Sequence, residues 1–389
     1  MKLSAMQIQA IVDATKTPTP EQVRVVEAPR RPLLVVAGAG SGKTETMSMR
    51  VLWLLANYPD LTPASILGLT FTRKAAGELG DRLRERIRLL SREMPQMRER
   101  LDEDPVALTY NSFAERIVSE HGMRIGIDPD FAMLSEAGAL DLMTQIVEAW
   151  PTDLDETLSP TGVVGKILHL AGEIGEHGYT VETAREALEE FGRELEQVGR
   201  GNDVARNVID ANRRRLAFLG PIEAYQQRKR DMGVLDFSDQ LVLATRIVRE
   251  APSVRAALRD EFRAVLLDEF QDTSVIQMEL LSTLFGDHAV TAVGDPNQAI
   301  YGWRGASASS LETFLERFQT GVAEEDQTLT LSTAWRNDVS ILDAANRVAA
   351  PLREVASYQQ GKDALKAQSP VLVPRTGAGQ GRVEIAYTQ

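Results

Sequence analysis

The chain has 389 residues, is 43% hydrophobic and 25% charged, and carries a formal net charge of −13 at pH 7. That length holds two or three soluble domains, and the acidic balance argues mildly against a polyanionic partner, although clustered charge outweighs net charge in such contacts. Cysteine is absent, which excludes disulfides, thiolate metal sites and a cysteine nucleophile and fits a reducing compartment. The histidines, His121, His169, His177 and His288, include no close pair of the kind zinc needs. No apolar run approaches the length of a membrane span, and the N-terminus lacks a signal-peptide core, so the expected location is cytoplasmic.

Met1 to Ala14 reads as a helix, broken by Thr17-Pro18-Thr19-Pro20. Thr19 can cap a second helix over Glu21 to Glu27, with Pro20 at its first position. Pro32 to Ala37 is an apolar strand that runs into AGAGSGKT, Ala37 to Thr44. Glycines at 38, 40 and 42 let backbone N–H groups converge on phosphate oxygens, and the following helix start adds its unpaired donors. Lys43 supplies a charge for the β- and γ-phosphates, and Thr44 a hydroxyl for Mg²⁺. The competing reading is a glycine-rich turn with a surface lysine; the strand before it and the Gly-Lys-Thr ending favour a nucleoside triphosphate. Ala39, Gly40, Ser41, Gly42, Lys43, Thr44 and Glu45 are the expected binding set.

Thr44 to Ala56 is a helix, Ile66 to Phe71 a buried strand, and a basic helix starts near Ala75. Val106 to Thr109 is a third strand. Arginine is dense from Arg73 to Arg100, and again at Arg213 to Arg215 with Arg228 to Arg230. Interleaved acids favour a solvated helix face for any one of them, whereas as sets they suit a phosphate backbone. From Ser112 to about Met232 strand signals vanish, and helix-period patterns dominate at Ala137 to Trp150, Val163 to Ile174 and Val204 to Arg230.

Strands return at Ala264 to Leu267, Ala289 to Val293 and Thr328 to Leu331, with helices Ile276 to Leu284 and Ser309 to Phe318 between them. The alternation predicts an α/β fold: a P-loop parallel sheet with helices on both faces, interrupted by a mostly helical subdomain. Asp268-Glu269 follows one strand, where active-site residues of open sheets collect. Asp268 is expected to complete the metal shell with Thr44, and Glu269 to orient and deprotonate a water. Gln298, in the loop after the next strand, is suited to hydrogen-bond the γ-phosphate. Trp303-Arg304, close behind it, offers an indole and a guanidinium for stacking on a base. Gln359 to Arg382 reads as a linker, and Arg382 to Tyr387 as one further strand.

In this order the blocks resemble the UvrD/Rep/PcrA branch of superfamily 1 DNA helicases. Thr19 to Gln22 is similar to the Q motif, implying that Gln22 reads adenine. Ala37 is that family's own leading residue in the phosphate loop. Thr70 to Ala76 resembles motif Ia and implies single-stranded DNA contact at Phe71, Thr72 and Arg73. Thr109 to Phe113 resembles the TFHSF block, with Tyr110 and Asn111 as DNA contacts and Asn111 in place of His. Leu235 to Asp239 resembles the block that closes the helical insertion. Asp268 to Thr273 is similar to motif II, with Phe270 where Tyr is usual. Gly294 to Ala306 resembles motif III, implying Gln298 on the γ-phosphate, Tyr301 and Trp303 on DNA bases, and Arg304 in support. Leu331 to Asn337 resembles motif IV, with Trp335 stacking on adenine and Arg336 reaching the γ-phosphate; its AWRN form is similar to the actinobacterial AdnA-like motor–nucleases.

The resemblance implies ATP and Mg²⁺ as ligands, with Lys43, Asp268, Glu269, Gln298 and Arg336 as the catalytic set. It implies single-stranded or partly duplex DNA as substrate, 3′ to 5′ tracking, a nucleoid-associated role in repair or recombination, and a protein partner there. It also implies a division into residues 1–112 and 235–358 as one RecA-like domain, 113–234 as the insertion, and 359–389 as a linker with the first strand of a second RecA-like domain. That second domain would supply another arginine, so the expectation for this stretch alone is nucleotide binding with slow hydrolysis and no unwinding. The alternative is a nucleotide-dependent DNA-binding module without motor activity. A P-loop kinase or GTPase leaves the 294–306 block without a purpose.

Overall fold

A computed structural model describes residues 2–152, 154, 159–198, 203–302, 310–318, 327–358 and 368–384. Along the chain, α1 (Ala5–Asp13) and α2 (Pro20–Val26) lead to β1 (Leu33–Ala37), α3 (Lys43–Asn57), β2 (Ile66–Thr70), α4 (Arg73–Glu93), β3 (Val106–Thr109) and α5 (Tyr110–His121). A mostly helical stretch follows: β4 (Ala132–Met133), α6 (Glu136–Glu148), α7 (Pro160–Glu176), α8 (Val181–Val198), α9 (Asp203–Met232), β5 (Val234–Leu235) and α10 (Phe237–Glu250). The remainder is α11 (Pro252–Glu261), β6 (Ala264–Leu267), α12 (Val275–Phe285), β7 (Val290–Gly294), α13 (Ser310–Arg317), β8 (Thr328–Leu331), β9 (Thr333–Ala334), α14 (Val339–Tyr358) and β10 (Val373–Pro374).

The expected fold class holds. Six strands form one sheet in the order β3-β2-β6-β7-β1-β8, and every pairing in it is parallel. Parallel strands joined by helical crossovers are covered on both faces, which is why β1, β2, β6 and β7 are buried throughout and read as continuous apolar runs. The pleat sends alternate residues to opposite sides. Leu33, Val35 and Ala37 join Ile66, Ala264, Leu266 and Val293 in a core with α1 to α4. Phe113, Phe262 and Phe285 form a ring cluster among the buried residues, and Phe270, Phe314 and Phe318 another.

The chain separates into two compact units: Met1–Phe113, Pro252–Thr273 and Leu281–Gln389 in one, Ala114–Ala251 and Ser274–Leu280 in the other. The second unit has its own core, in which Leu142, Met143 and Ile146 of α6 meet Val163, Val164 and Ile167 of α7 and Phe218, Leu219 and Ile222 of α9. It also holds a strand pair the sequence hides, because β4 and β5 are two residues each. Helix α10 packs on α7 within this unit, whose segments are Ala114–Ala251 and Ser274–Leu280.

Two features of the C-terminal end bear on the expected linker and strand. Residues 382–384 of the expected strand are not in a sheet; a strand needs a neighbour to take its main-chain groups, and none is present among the described residues. Residues 385–387 lie outside them. The described part of the expected linker, 368–381, is tied down: β10 pairs with β9, and Val339 and Ser340 N–H groups donate to Gly379 and Gln380 carbonyls at 3.1 and 2.8 Å.

Candidate nucleotide and nucleic-acid site

The phosphate loop, Asp268-Glu269, Gln298 and the starts of the 71–76 and 110–113 blocks follow the carboxyl ends of β1, β6, β7, β2 and β3 in the six-stranded parallel sheet, the end at which such sheets build their sites. The phosphate loop follows β1. Gly40 and Gly42 stand at φ 75° and 82°, in the left-handed region that a side chain resists. Gly42 caps α3, so the first N–H groups of that helix have no intrahelical partner. Ser41 Oγ is buried without a hydrogen-bond partner, a costly arrangement unless a ligand supplies one. These features fit a phosphate group. For a cation the protein offers little: among the described residues no three His, Asp or Glu side chains cluster into a metal-holding set. Mg²⁺ carried on phosphates needs no such cage, and Thr44 and Asp268 are the groups that would hold it.

Asp268-Glu269 follows β6, and the Asp268 N–H donates to Leu69 O at 2.9 Å. Lys43 Nζ lies 3.2 Å from Glu269 Oε2. Glu269 has φ 50° and ψ 40° and is the one non-glycine residue with positive φ among the described residues. Such backbone costs on the order of 1–3 kcal/mol and persists where the surroundings impose it. Burial, reinforced by the neighbouring Glu269 charge, pushes the Asp268 carboxyl up to about 6 against Lys43 and Arg82.

A raised carboxyl pKa means that folding favours the protonated form, so this stability is present below the ordinary 3.8 and is lost as pH climbs through about 6. Asp268→Asn, fixed neutral, is therefore expected to stabilise the metal-free protein by about 1–3 kcal/mol at pH 8 and by almost nothing at pH 4. Thermal melts at both pH values in EDTA check this; an equal gain at both contradicts it.

Gln22, Trp335 and Arg336 are brought to the phosphate loop. Gln22 forms a reciprocal cap with Thr19 and donates from Nε2 to Thr46 Oγ1 at 3.2 Å. A Cβ on Gly42 would lie 3.2 Å from Gln22 Nε2 and 3.6 Å from Trp335 Cδ1, and one on Gly40 would lie 3.1 Å from Arg336 Cβ. The Trp335 N–H donates to Gly40 O at 2.8 Å. Glu21 carries no sequence signal for a role here, yet its carboxylate takes the Ser332 N–H and Oγ–H, both at 2.8 Å, which fixes the start of this loop. Gln298 donates from Nε2 to Asp295 Oδ2 at 2.6 Å.

On the expected DNA face, Phe71 and Tyr301 stack with planes 6° apart and centroids at 6.2 Å. Tyr110 differs from expectation. Its ring is 4% exposed, tilted under Phe71 at 5.3 Å, and its hydroxyl donates to Asp268 O at 3.3 Å; burial raises its pKa. It supports this face from beneath. Thr72 caps α4 through Ala75 N–H and is exposed with Arg73, while Asn111 is half-buried. Trp303 and Arg304 lie outside the described residues.

The basic sets also divide. Arg86 pairs with Glu45 at 2.5 Å, Arg84 pairs with Asp81, and Arg100 donates to main-chain carbonyls. Arg88, Arg92 and Arg98 are exposed. Lys229 is 5% exposed, held between Asp236 and Asp239 at 2.5 and 2.6 Å, and is no surface cation.

Residues 18–319 match the family model described as the UvrD/REP helicase N-terminal domain. DNA helicase II of Escherichia coli K12 is 30% identical over 327 residues, 84% of this chain and 39% of the relative. DNA helicase II of Haemophilus influenzae is 28% identical, over 89% and 41%, and the ATP-dependent DNA helicase PcrA of Leuconostoc citreum is 28% identical, over 84% and 38%. The chain thus spans about two fifths of the length of these curated relatives.

Proposed function

The chain belongs to the UvrD/REP helicase family through its N-terminal domain, and on that premise we propose that it binds ATP with Mg²⁺ and single-stranded DNA as the motor portion of a DNA helicase. One observation carries the reading: the phosphate loop, Asp268-Glu269 and Gln298 follow the carboxyl ends of β1, β6 and β7 in one sheet, the Trp335 N–H is bonded to Gly40 O of that phosphate loop, and the Phe71–Tyr301 pair follows β2 and β7. Sequence places these groups far apart; the parallel topology puts them together.

In this reading the phosphate loop and the start of α3 hold the triphosphate, and Gln22 and Trp335 flank the adenine. Lys43 leaves Glu269 for the phosphates, which frees the Glu269 carboxylate to take a proton from water. Gln298 and Arg336 meet the γ-phosphate. Mg²⁺ supplies charge neutralisation when bound, with Thr44 and Asp268 as its protein ligands. Phe71 and Tyr301 offer flat faces to unpaired bases. Tracking from 3′ to 5′, a second RecA-like domain with its own arginine, a role in repair or recombination with a protein partner, and a cytoplasmic, nucleoid-associated location complete the proposal. They rest on the family; the names of the relatives speak of DNA helicases. Among the described residues no helix is long and apolar enough to cross a membrane.

Binding tests the reading directly. Fluorescent ATP and a labelled oligo-dT should both bind the 389-residue chain. Lys43→Ala is expected to weaken the nucleotide by about tenfold or more, the loss of a charge-assisted contact, and to leave oligo-dT affinity in the absence of nucleotide unchanged. Undiminished nucleotide binding by Lys43→Ala would refute the site.

A further inference from the structure

Residues 369–381 lie against the nucleotide loops. Leu372 sits on the phosphate loop so closely that a Cβ on Gly38 would be 2.3 Å from its Cδ2. Asn346 on α14 grips the same residue at both main-chain groups: it takes the Leu372 N–H at 3.0 Å and donates to Leu372 O at 2.8 Å. The Val373 N–H donates to Ser332 O at 3.0 Å, and the Gly379 N–H to Asp338 Oδ1 at 3.1 Å. This strap is therefore fastened to the loop that carries Trp335 and Arg336.

Its first anchor leads further. Ser369 is buried, and its hydroxyl donates to Asp295 Oδ1 at 2.5 Å. Asp295, 3% exposed, is a junction. Its Oδ2 holds the Gln298 amide at 2.6 Å, and its N–H donates to Gln271 Oε1 at 3.0 Å. Only the oxygen of that amide can accept a main-chain N–H, so the orientation of Gln271 is fixed and its nitrogen must face the other way. There it donates to Glu269 Oε2 at 2.9 Å. Gly294 leaves the room this needs, since a Cβ there would lie 2.8 Å from Gln271 Oε1. An unbroken hydrogen-bond chain thus runs from Glu269 through Gln271 and Asp295 to Ser369, with Gln298 as a branch.

We propose that Gln271 and Asp295 are positioning residues that link the Glu269–Gln298 pair to the 369–381 strap, so that the strap tightens when a γ-phosphate is bound. This rests on the reading of Glu269 and Gln298 given above. When Gln298 turns its amide to the γ-phosphate, Asp295 Oδ2 loses a donor. A buried carboxylate with fewer donors binds the remaining ones more strongly, so its hold on Ser369 increases. The two ends meet at one carboxylate, Asp295, and coupling requires that both bias it.

Hydrogen exchange of the 369–374 amides in the whole chain tests this, with Mg²⁺ and either a non-hydrolysable ATP analogue or ADP at saturation. The analogue should slow exchange by about fivefold or more relative to ADP, the lower end of ordinary coupling between sites. Ser369→Ala and Gln271→Leu should lose that difference while the analogue's Kd stays within about threefold of wild type, and Ser369→Thr, which keeps the hydroxyl, should retain it. A wild-type chain that binds the analogue without slowing, or Ser369→Ala that slows as wild type does, overturns the coupling while leaving the site intact. A wild-type chain that binds no nucleotide overturns the site reading and the coupling with it.

Discussion

Glu269→Gln is expected to lower the rate of ATP hydrolysis by about 10²–10⁴-fold, the usual contribution of a positioned general base, with little change in nucleotide affinity. The substitution keeps the side chain's size and one acceptor oxygen. What it removes is the carboxylate, whose Oε2 takes Lys43 Nζ at 3.2 Å and Gln271 Nε2 at 2.9 Å. Neither donor shifts the loop much if weakened, because the Lys43–Glu269 pair is partly exposed and such pairs contribute about 0–1 kcal/mol. The loss should therefore fall on kcat rather than on binding, the signature of a group needed only as the reaction proceeds. The strained φ of 50° at this position points the same way: a non-glycine residue is held there although glycine would fit more easily. Single-turnover hydrolysis of labelled ATP in the presence of single-stranded DNA measures the rate, and titration with a non-hydrolysable analogue measures affinity. A rate within tenfold of wild type would remove Glu269 from its role, whereas a large loss of affinity would make it a binding group instead.

The parts of this site that could be read from the sequence are those announced by local pattern. The run Leu33 to Ala37 ending in Gly-Ser-Gly-Lys-Thr, and Ala264 to Leu267 ending in Asp268-Glu269, each combine a buried strand with the chemistry at its end, so fold and site were legible together. What escaped depends on pairings between distant residues. Ser369 reaches Asp295 across 74 positions and Glu21 reaches Ser332 across 311, and neither leaves a trace in periodicity. The Gly and Pro content of the tract from Gln359 suits a linker, and composition does not register that Asn346 and Asp338 take up the backbone of 372 and 379. The motif implies a DNA contact at Tyr110, and its side chain is covered because Phe71 lies over it. Lys229 counted as part of a basic cluster, and only the fold supplies its two carboxylates.

Arg50 belongs to the same class and carries the second large expectation: Arg50→Ala should cost the sheet-bearing unit about 3–5 kcal/mol, a substantial part of a domain's total stability. On α3 the apolar residues Met47, Val51, Leu54 and Leu55 belong to the core, and an arginine beside such a face ordinarily stretches to water. Instead Arg50 is 1% exposed. Burial pulls its pKa down to about 10, which still leaves it charged at neutral pH. Among the described residues no carboxylate accompanies it. Its Nη1 donates to Val25 O and Ala28 O, both at 2.9 Å, its Nη2 to Pro29 O at 3.0 Å, and its Nε to Thr291 Oγ1 at 2.8 Å. Those carbonyls include the end of α2, where helical C=O groups have no intrahelical partner, so the guanidinium caps α2 from inside the core and ties it to α3 and β7. Truncation strands several buried acceptors and opens a cavity, and both terms have the same sign. Arg50→Lys should recover part of the loss only, because one ammonium cannot span acceptors set out for a planar fork. The tie has a functional edge as well: α2 carries Gln22 at its other end, against Gly42 and Thr46. Arg50→Ala is therefore expected to weaken ATP more than GTP, measured by competition against the same fluorescent nucleotide below the onset of unfolding. Denaturant midpoints of the wild-type, alanine and lysine chains rank the stability terms; a loss under 1 kcal/mol for alanine would mean that water replaces the guanidinium at little cost.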